Sequence, residues 1–156
     1  MNDDYFKALG KIAVNFSSLE IYLSFLIWNL STSELKVGKI ITSELSFKAK
    51  VALFASLYRL QVGDIKKGSD VEKLIKSLMK AEDERNMVMH SSWLVDEKNT
   101  KVTRYKVTSK LKHGLKDEFE DFTVNDLNKI ADFISSTGRE LGKLISSLSK
   151  EIIKLA

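Results

Sequence analysis

Hydrophobic residues recur every third or fourth position over the first thirty residues of the chain. The recurring positions are Phe6, Leu9, Ile12, Ala13, Phe16, Leu19, Leu23, Leu26 and Leu30. This spacing marks one face of an α-helix and predicts a helix from about Asp3 to Leu30, with Asn2 or Asp3 as its cap. Beyond Leu19 the segment is apolar on several sides, so we expect neighbours all round it, inside a bundle or across a subunit interface.

Further amphipathic segments predict the remaining helices. They cover residues 34–41, 47–60, about 69 to 90–92, and a last long segment that opens at residue 123 or 125. Ser46 is placed to cap the second of these, and Thr123 with Asp126 resembles a capping box for the last. The absence of proline and the low count of seven glycines also favour long uninterrupted helices.

Two short runs with strand character interrupt the helical pattern. Residues 93–95 and 102–107 predict a β-hairpin around residues 96–100, and a long loop containing Gly114 follows. At 156 residues the chain fits one domain. We therefore expect a single all-α domain over residues 1–156, an up-and-down bundle of four to five helices with a small hairpin insertion at about 93–122.

Composition narrows the chemistry that this bundle can perform. The chain has no cysteine, which excludes disulfides, thiol catalysis and zinc–cysteine sites, and its two histidines are too few for a histidine-rich metal site. We expect no metal and no cofactor, although a carboxylate-only Mg²⁺ site stays open. The acidic N-terminus lacks the basic region of a signal peptide, and the most apolar run, residues 19–30, is too short to span a bilayer. A cytoplasmic location without membrane contact is the expectation.

The most specific chemical feature of the sequence is a group of three polar residues, Arg85, Asn86 and His90, near the end of the third long helix. On a helical wheel Arg85 lies inside the apolar stripe, where a charge must be paired or must face a cleft or an interface. Asn86 and His90 share one face, whereas Arg85 and His90 are about 140° apart around the axis. Two copies brought together by a symmetric interface can converge on one cleft, each supplying arginine, asparagine and histidine.

These side chains suit metal-free cleavage of RNA. Histidine takes or gives a proton near neutral pH, the arginine fork matches a phosphate, and asparagine orients a hydroxyl or an imidazole. RNA carries its own nucleophile, the 2′-hydroxyl. His90 as proton shuttle and Arg85 on the phosphate therefore predict a ribonuclease with Asn86 in support.

The run from Arg85 through Asn86 to His90 resembles the motif of HEPN domains, an arginine and a polar residue followed by histidine at a helix end in a small bundle. Glu82, Ser91 and Trp93 around it, and Leu19-Glu20 in the long first helix, are also similar to bacterial members. The resemblance covers most of the chain and implies a dimeric, metal-independent endoribonuclease of toxin–antitoxin or antiphage systems, with an antitoxin or another protein as a partner. The hairpin departs from the minimal family pattern.

Other interpretations of the same residues stay open. Arg85 can pair structurally with Glu82 or Glu20, and His90 can be a helix C-terminal residue favoured by the helix dipole. The resemblance also extends to HEPN family members that have lost activity and serve as binding or dimerisation modules. The alternative prediction is therefore a non-catalytic HEPN-like bundle that binds a nucleotide, a nucleic acid or a protein.

A basic segment follows the motif and carries candidate nucleic-acid contacts. They are Lys98, Lys101, Arg104, Tyr105, Lys106, Lys110 and Lys112. The cations can track a phosphate backbone while the tyrosine stacks on a base, which makes RNA the expected partner. A solvated hairpin, neutralised by the acidic residues between 117 and 126, is the competing interpretation. The net charge of +4 adds little, because attraction to phosphate fades beyond about 10 Å in ordinary salt.

Overall fold

A computed structural model describes residues 3–31, 34–95, 102–110 and 114–155, apart from the side chains of residue 110 and residues 149–155. Within these ranges the chain forms five helices and three strands. In chain order they are α1 (Asp3–Leu30), α2 (Leu35–Ser43), α3 (Phe47–Gln61), α4 (Asp70–Met89), β1 (Ser92–Val95), β2 (Val102–Lys110), β3 (Gly114–Phe122) and α5 (Val124–Leu155). The predicted helical bundle is confirmed.

Side-chain caps fix where the helices begin. The Ser46 hydroxyl accepts the N–H of Ala49 at the start of α3, and Ser69 caps α4 in the same way. At α5 the Thr123 hydroxyl accepts the N–H of Asp126 at 3.2 Å, while the Asp126 carboxylate accepts the N–H of Thr123 at 3.1 Å. These bonds satisfy N–H groups that lack a partner inside the helix. The predicted caps of α3 and α5 are confirmed, and the Ser69 cap of α4 is an addition from the structure.

The two longest helices, α1 and α5, pack side by side in parallel. Lys11 of α1 bonds Asn128 of α5, and one turn later the Asn15 amide donates to the carbonyl of Ala131 at 2.9 Å. Partner numbers rise together along both helices, so both chains run in the same direction. The core between them is continuous with the buried faces of α3 and α4.

The outer side of α1 is less covered than the sequence pattern suggests. Phe6, which belongs to the apolar stripe, is 59% exposed, and the neighbouring Tyr5 is buried in its place. The Tyr5 hydroxyl donates to the carbonyl of Phe122, which draws the ring into the core. The short helix α2 packs against α1 at Trp28, and Ile21 and Phe25 of α1 remain partly exposed.

The insertion before α5 is a three-stranded antiparallel sheet in the order β1-β2-β3, so the prediction of a hairpin followed by a long loop was wrong for β3. The β1–β2 pairing matches the predicted hairpin. β3 looked like a loop because it is rich in acidic residues, which are uncommon in strands. Opposite charges compensate in pairs across the strands, with Arg104 opposite Glu120 and Lys106 opposite Glu118.

Candidate functional site

The last turns of α4 extend beyond the beginning of α3. The Glu82 carboxylate accepts the backbone N–H of Lys48 in the first turn of α3. A short loop joins the end of α3 to the start of α4, so the two helices run antiparallel. The seven residues of α4 after Glu82, about 10 Å of helix, therefore extend beyond the start of α3 and form the α4 overhang. Arg85 and Asn86 are half-buried along this overhang, and His90 is exposed at its end. The predicted catalytic residues therefore lie on one open end of α4.

Arg85 is held by an aromatic ring and an amide rather than by a carboxylate. Its guanidinium carbon lies 5.0 Å from the centre of the Phe16 ring, and its Nη1 donates to Oδ1 of Asn86 at 2.8 Å. Phe16 in turn packs against Phe47 with ring centres 4.7 Å apart. A cation over an aromatic face gains about 0.5–2 kcal/mol, depending on its exposure to water. Nothing in the sequence signalled Phe16 as the support of this guanidinium.

The structural pairing of Arg85 with Glu20, one alternative left open by the sequence, does not occur. Glu20 instead accepts a 2.6 Å hydrogen bond from the ammonium of Lys50, which is almost fully buried. Glu20 lies one turn beyond Phe16 on α1, so this ion pair fixes α3 beside the ring that supports Arg85. Glu82, the other partner that the sequence left open, accepts the backbone N–H of Lys48 instead, although the charge of Arg85 still acts on it.

Burial raises the pKa of Glu82 above its ordinary value, and the negative charge of Asp83 adds to this. The N–H of Lys48 is the largest opposing influence, followed by the positive charges of Lys48 and Arg85. The increase indicates that desolvation outweighs the stabilising contacts at this carboxyl. A partly buried acid with such neighbours is a feature of functional sites and of structural ion networks alike.

His90 forms the C-terminal cap of α4, with its backbone N–H donating to the carbonyl of Asn86 at 3.1 Å. In the part of the chain that the structure describes, its imidazole makes no hydrogen bond to Arg85 or Asn86. The motif side chains therefore share one end of the helix without forming one contact cluster. Their catalytic roles stay a prediction.

The backbone on both sides of His90 is anchored to neighbouring residues. The Ser91 hydroxyl donates to the carbonyl of Met87 at 2.7 Å, and the Trp93 indole donates to the carbonyl of Val88 at 3.2 Å. Arg104 on β2 reaches the Ser91 hydroxyl at 3.4 Å. The sheet is thereby fastened to the end of α4, a role for Arg104 that its place in a basic segment had not indicated.

Arg104 and Tyr105, two of the predicted nucleic-acid contacts, are engaged inside the sheet. Arg104 is buried and forms ion pairs with Glu120 at 3.1 Å and Glu118 at 3.6 Å. The Tyr105 ring stacks on Phe119, and its hydroxyl donates to Asp117 at 3.0 Å. This bond is the largest cause of the raised pKa of Tyr105. The Arg104 guanidinium and the Tyr105 hydroxyl are therefore both already bonded to carboxylates.

The remaining members of the basic segment give little further support for a phosphate track. Lys106 is half-buried opposite Glu118. Lys98, Lys101 and Lys112 lie outside the described residues, as does the side chain of Lys110. Nucleic-acid binding by this segment stays a prediction.

Comparison of the chain with family models, with curated proteins and with solved structures found no match. Among the residues that the structure describes, no three histidine, aspartate or glutamate side chains are grouped to hold a metal ion. No helix in the same ranges has the length and apolar character to cross a membrane. The similarity to HEPN domains therefore depends on the sequence run from Arg85 to His90 and its surroundings.

Proposed function

We propose that the protein is a metal-independent endoribonuclease of the HEPN type, which acts as a homodimer in the role of a toxin or antiphage effector. The observation that carries the proposal is the placement of Arg85 and His90. A half-buried guanidinium, held on Phe16 and by Asn86, lies just before an exposed histidine at an open helix end. The guanidinium suits a phosphate and the imidazole suits proton transfer at neutral pH.

The reaction needs no group beyond these side chains and the RNA itself. An imidazole of His90 accepts the proton of a ribose 2′-hydroxyl, and the 2′-oxygen attacks the adjacent phosphorus. The bond from phosphorus to the 5′-oxygen breaks, and the leaving oxygen takes a proton from the His90 imidazole of a second copy of the chain. Arg85 stabilises the charge that develops on the phosphate oxygens. The products are a 2′,3′-cyclic phosphate and a 5′-hydroxyl.

A second copy supplies what one chain lacks. The chain has one histidine in the motif, and on a regular helix Arg85 and His90 would be about 140° apart around the axis. A two-fold axis through the α4 overhang brings two arginines and two histidines to one cleft, so that one imidazole takes a proton while the other gives one. One side of the overhang is accessible for such a contact, because Asp83, Met89 and His90 are exposed.

The test is cleavage of total RNA and of tRNA by purified protein in the presence of EDTA. Wild-type protein is expected to cleave at least one RNA class, and His90→Ala or Arg85→Ala is expected to abolish cleavage while helicity is retained. His113→Ala, at the other histidine of the chain, is the matched control and is expected to keep activity. Wild-type protein that leaves every RNA class intact overturns the proposal.

A non-catalytic HEPN-like binding module is the second candidate. It is favoured by the engagement of Arg104 and Tyr105 with carboxylates and by the absence of a bond between Arg85 and His90 in the described residues. This candidate predicts retention of RNA, a nucleotide or a protein without any cleavage. A gel mobility shift with intact RNA, run beside the cleavage assay, separates the two functions.

A further inference from the structure

One side of α1 carries an exposed apolar row that the bundle does not cover. Its members, here called the outer seam, are Val14, Ser18, Ile21 and Phe25, of which Ser18 is small and polar, at successive spacings of four, three and four residues. This is the heptad spacing of a helix that packs along a second helix. Val14 is 65% exposed, and Ile21 and Phe25 are each 43% exposed.

The outer seam lies away from the proposed catalytic residues. Phe16, which supports Arg85, is roughly 160–200° around α1 from Val14 and Ser18. A contact through the seam therefore uses the opposite side of α1 from the α4 overhang. The following inference goes beyond the proposed function and does not depend on it.

The surface around the seam combines projecting rings with hollows. A shallow, open depression lies between Val14, Ser17 and Ile21 on α1. A groove of about 380 Å³ runs beside it, where Gly138 and Gly142 of α5 leave space next to α1. One surface thus offers both bulky side chains and the cavities that accept them, which is what an isologous interface requires.

Charge also favours a second copy over a charged partner. Residues 12–33 contain one charged residue, Glu20, and its carboxylate bonds Lys50 on another side of α1. The seam itself has no charge with which to select an acidic or basic protein. Charged residues are depleted in the same way at the centres of stable interfaces.

The exposed area is sufficient for a specific dimer. From the exposed fractions of Val14, Ile21, Tyr22 and Phe25, the apolar area is about 350 Å² for each copy, taking about 150–250 Å² for a fully exposed large side chain. With apolar atoms at about 57% of an interface, the two copies bury about 1,200 Å² in total, the lower end of specific interfaces.

We infer that two copies of this chain pair in antiparallel orientation along the outer seam of α1. A two-fold axis between Ser18 and Ile21 places Phe25 of one copy at the depression beside Val14 of the second copy. A parallel pairing instead sets Phe25 against Phe25 and leaves the depressions empty. This interface and the one proposed at α4 use different faces, so a chain that uses both has two separate two-fold axes and forms a tetramer when those axes meet at right angles.

Sedimentation equilibrium between about 1 μM and about 200 μM tests the interface, since an interface of this size is expected to associate in that range. Phe25→Asp and Ile21→Asp are each expected to halve the mass of the wild-type particle. Phe6→Asp is the matched control, because Phe6 is an even more exposed apolar residue of α1 outside the seam spacing, and it is expected to keep the wild-type mass. Far-UV circular dichroism checks that each variant is folded.

Single cysteines give the orientation, because the chain has none of its own. A mixture of Ser18→Cys and Ile21→Cys proteins is expected to form a disulfide-linked dimer faster under mild oxidation than either protein alone. Wild-type protein that stays a single chain over the whole range overturns the inference, as does an unchanged mass in both seam variants. A single-chain wild type also contradicts the homodimer proposed at α4, whereas an unchanged mass in both seam variants removes the seam interface alone. RNA cleavage by these proteins is scored separately.

Discussion

Lys50 and Glu20 form an ion pair in which the lysine is more buried than the glutamate. We therefore expect the free energy of unfolding to fall by different amounts when one charge or the other is removed. The side chain of Lys50 is 9% exposed and that of Glu20 is 35% exposed, with 2.6 Å between Nζ and Oε1. At this distance two unit charges attract by about 6 kcal/mol at an effective dielectric constant of about 20. Much of that attraction offsets the cost of removing the ammonium from water.

Glu20→Gln leaves a buried ammonium with a neutral acceptor. Loss of one partner of a buried pair costs about 3–5 kcal/mol, and we expect about 2–3 kcal/mol here because the amide oxygen still accepts a hydrogen bond. Lys50→Met keeps the volume of the side chain and lets the more exposed Glu20 turn to water. Its expected cost is below about 1 kcal/mol. The double variant should resemble Lys50→Met, which gives a coupling energy of about 2 kcal/mol.

Urea unfolding followed by far-UV circular dichroism measures these free energies by linear extrapolation. All four proteins of the cycle should show the same slope against urea, so that the midpoints report stability. A Lys50→Met variant that loses as much stability as Glu20→Gln, or more, refutes the argument from unequal burial.

Three further variants test other parts of the structure. Glu82→Gln should increase the free energy of unfolding at pH 7. The raised pKa of Glu82 gives a stabilisation that is complete below the unfolded value of 4.5 and is lost as the pH rises through the folded pKa, whereas the neutral amide keeps it. Urea titrations at several pH values should show this gain vanish in acid, and a loss of stability at pH 7 contradicts it. Gly38→Ala should cost about 1–3 kcal/mol, because its Cβ meets Trp28 at 2.9 Å, whereas Gly10→Ala has free space and should stabilise α1 by about 0.5–1 kcal/mol; thermal melts that rank the two alanines the other way contradict this. Phe16→Leu should lower kcat/KM for RNA about threefold by removing the ring beneath the guanidinium, which initial-rate measurements test, and an unchanged ratio shows that the ring has no part in activity.

The helices were predictable because their apolar faces repeat at the helical period and their caps are local. Ser46 and Thr123 mark the starts of α3 and α5, and each accepts a hydrogen bond from the N–H three residues later in the chain. The placement of Arg85 on the inward side of α4 also followed from the wheel. Such features depend on neighbours in sequence, so the chain itself specifies them.

Features that depend on distant residues were missed. β3 is stabilised by its pairing with β2, in which Arg104 and Lys106 face acidic residues that look unsuited to a strand by themselves. Opposite charges at equal distances on either side of position 112, Arg104 with Glu120 and Lys106 with Glu118, were the available signal. The burial of Tyr5 instead of Phe6 depends on a bond to Phe122, more than a hundred residues away. The support of Arg85 by Phe16 likewise arises only when α1 and α4 meet.

The chemical ends of the RNA products test the proposed reaction most directly. A cleaved oligoribonucleotide, mapped first and then synthesised with a single 2′-deoxy nucleotide at the cleavage position, is treated with wild-type protein in EDTA and analysed by mass spectrometry. Attack by the 2′-oxygen, with His90 moving the proton and Arg85 on the phosphate, predicts a 2′,3′-cyclic phosphate and a 5′-hydroxyl from the RNA and no cleavage of the 2′-deoxy substrate. Products with a 3′-hydroxyl and a 5′-phosphate, or equal cleavage of both substrates, contradict it.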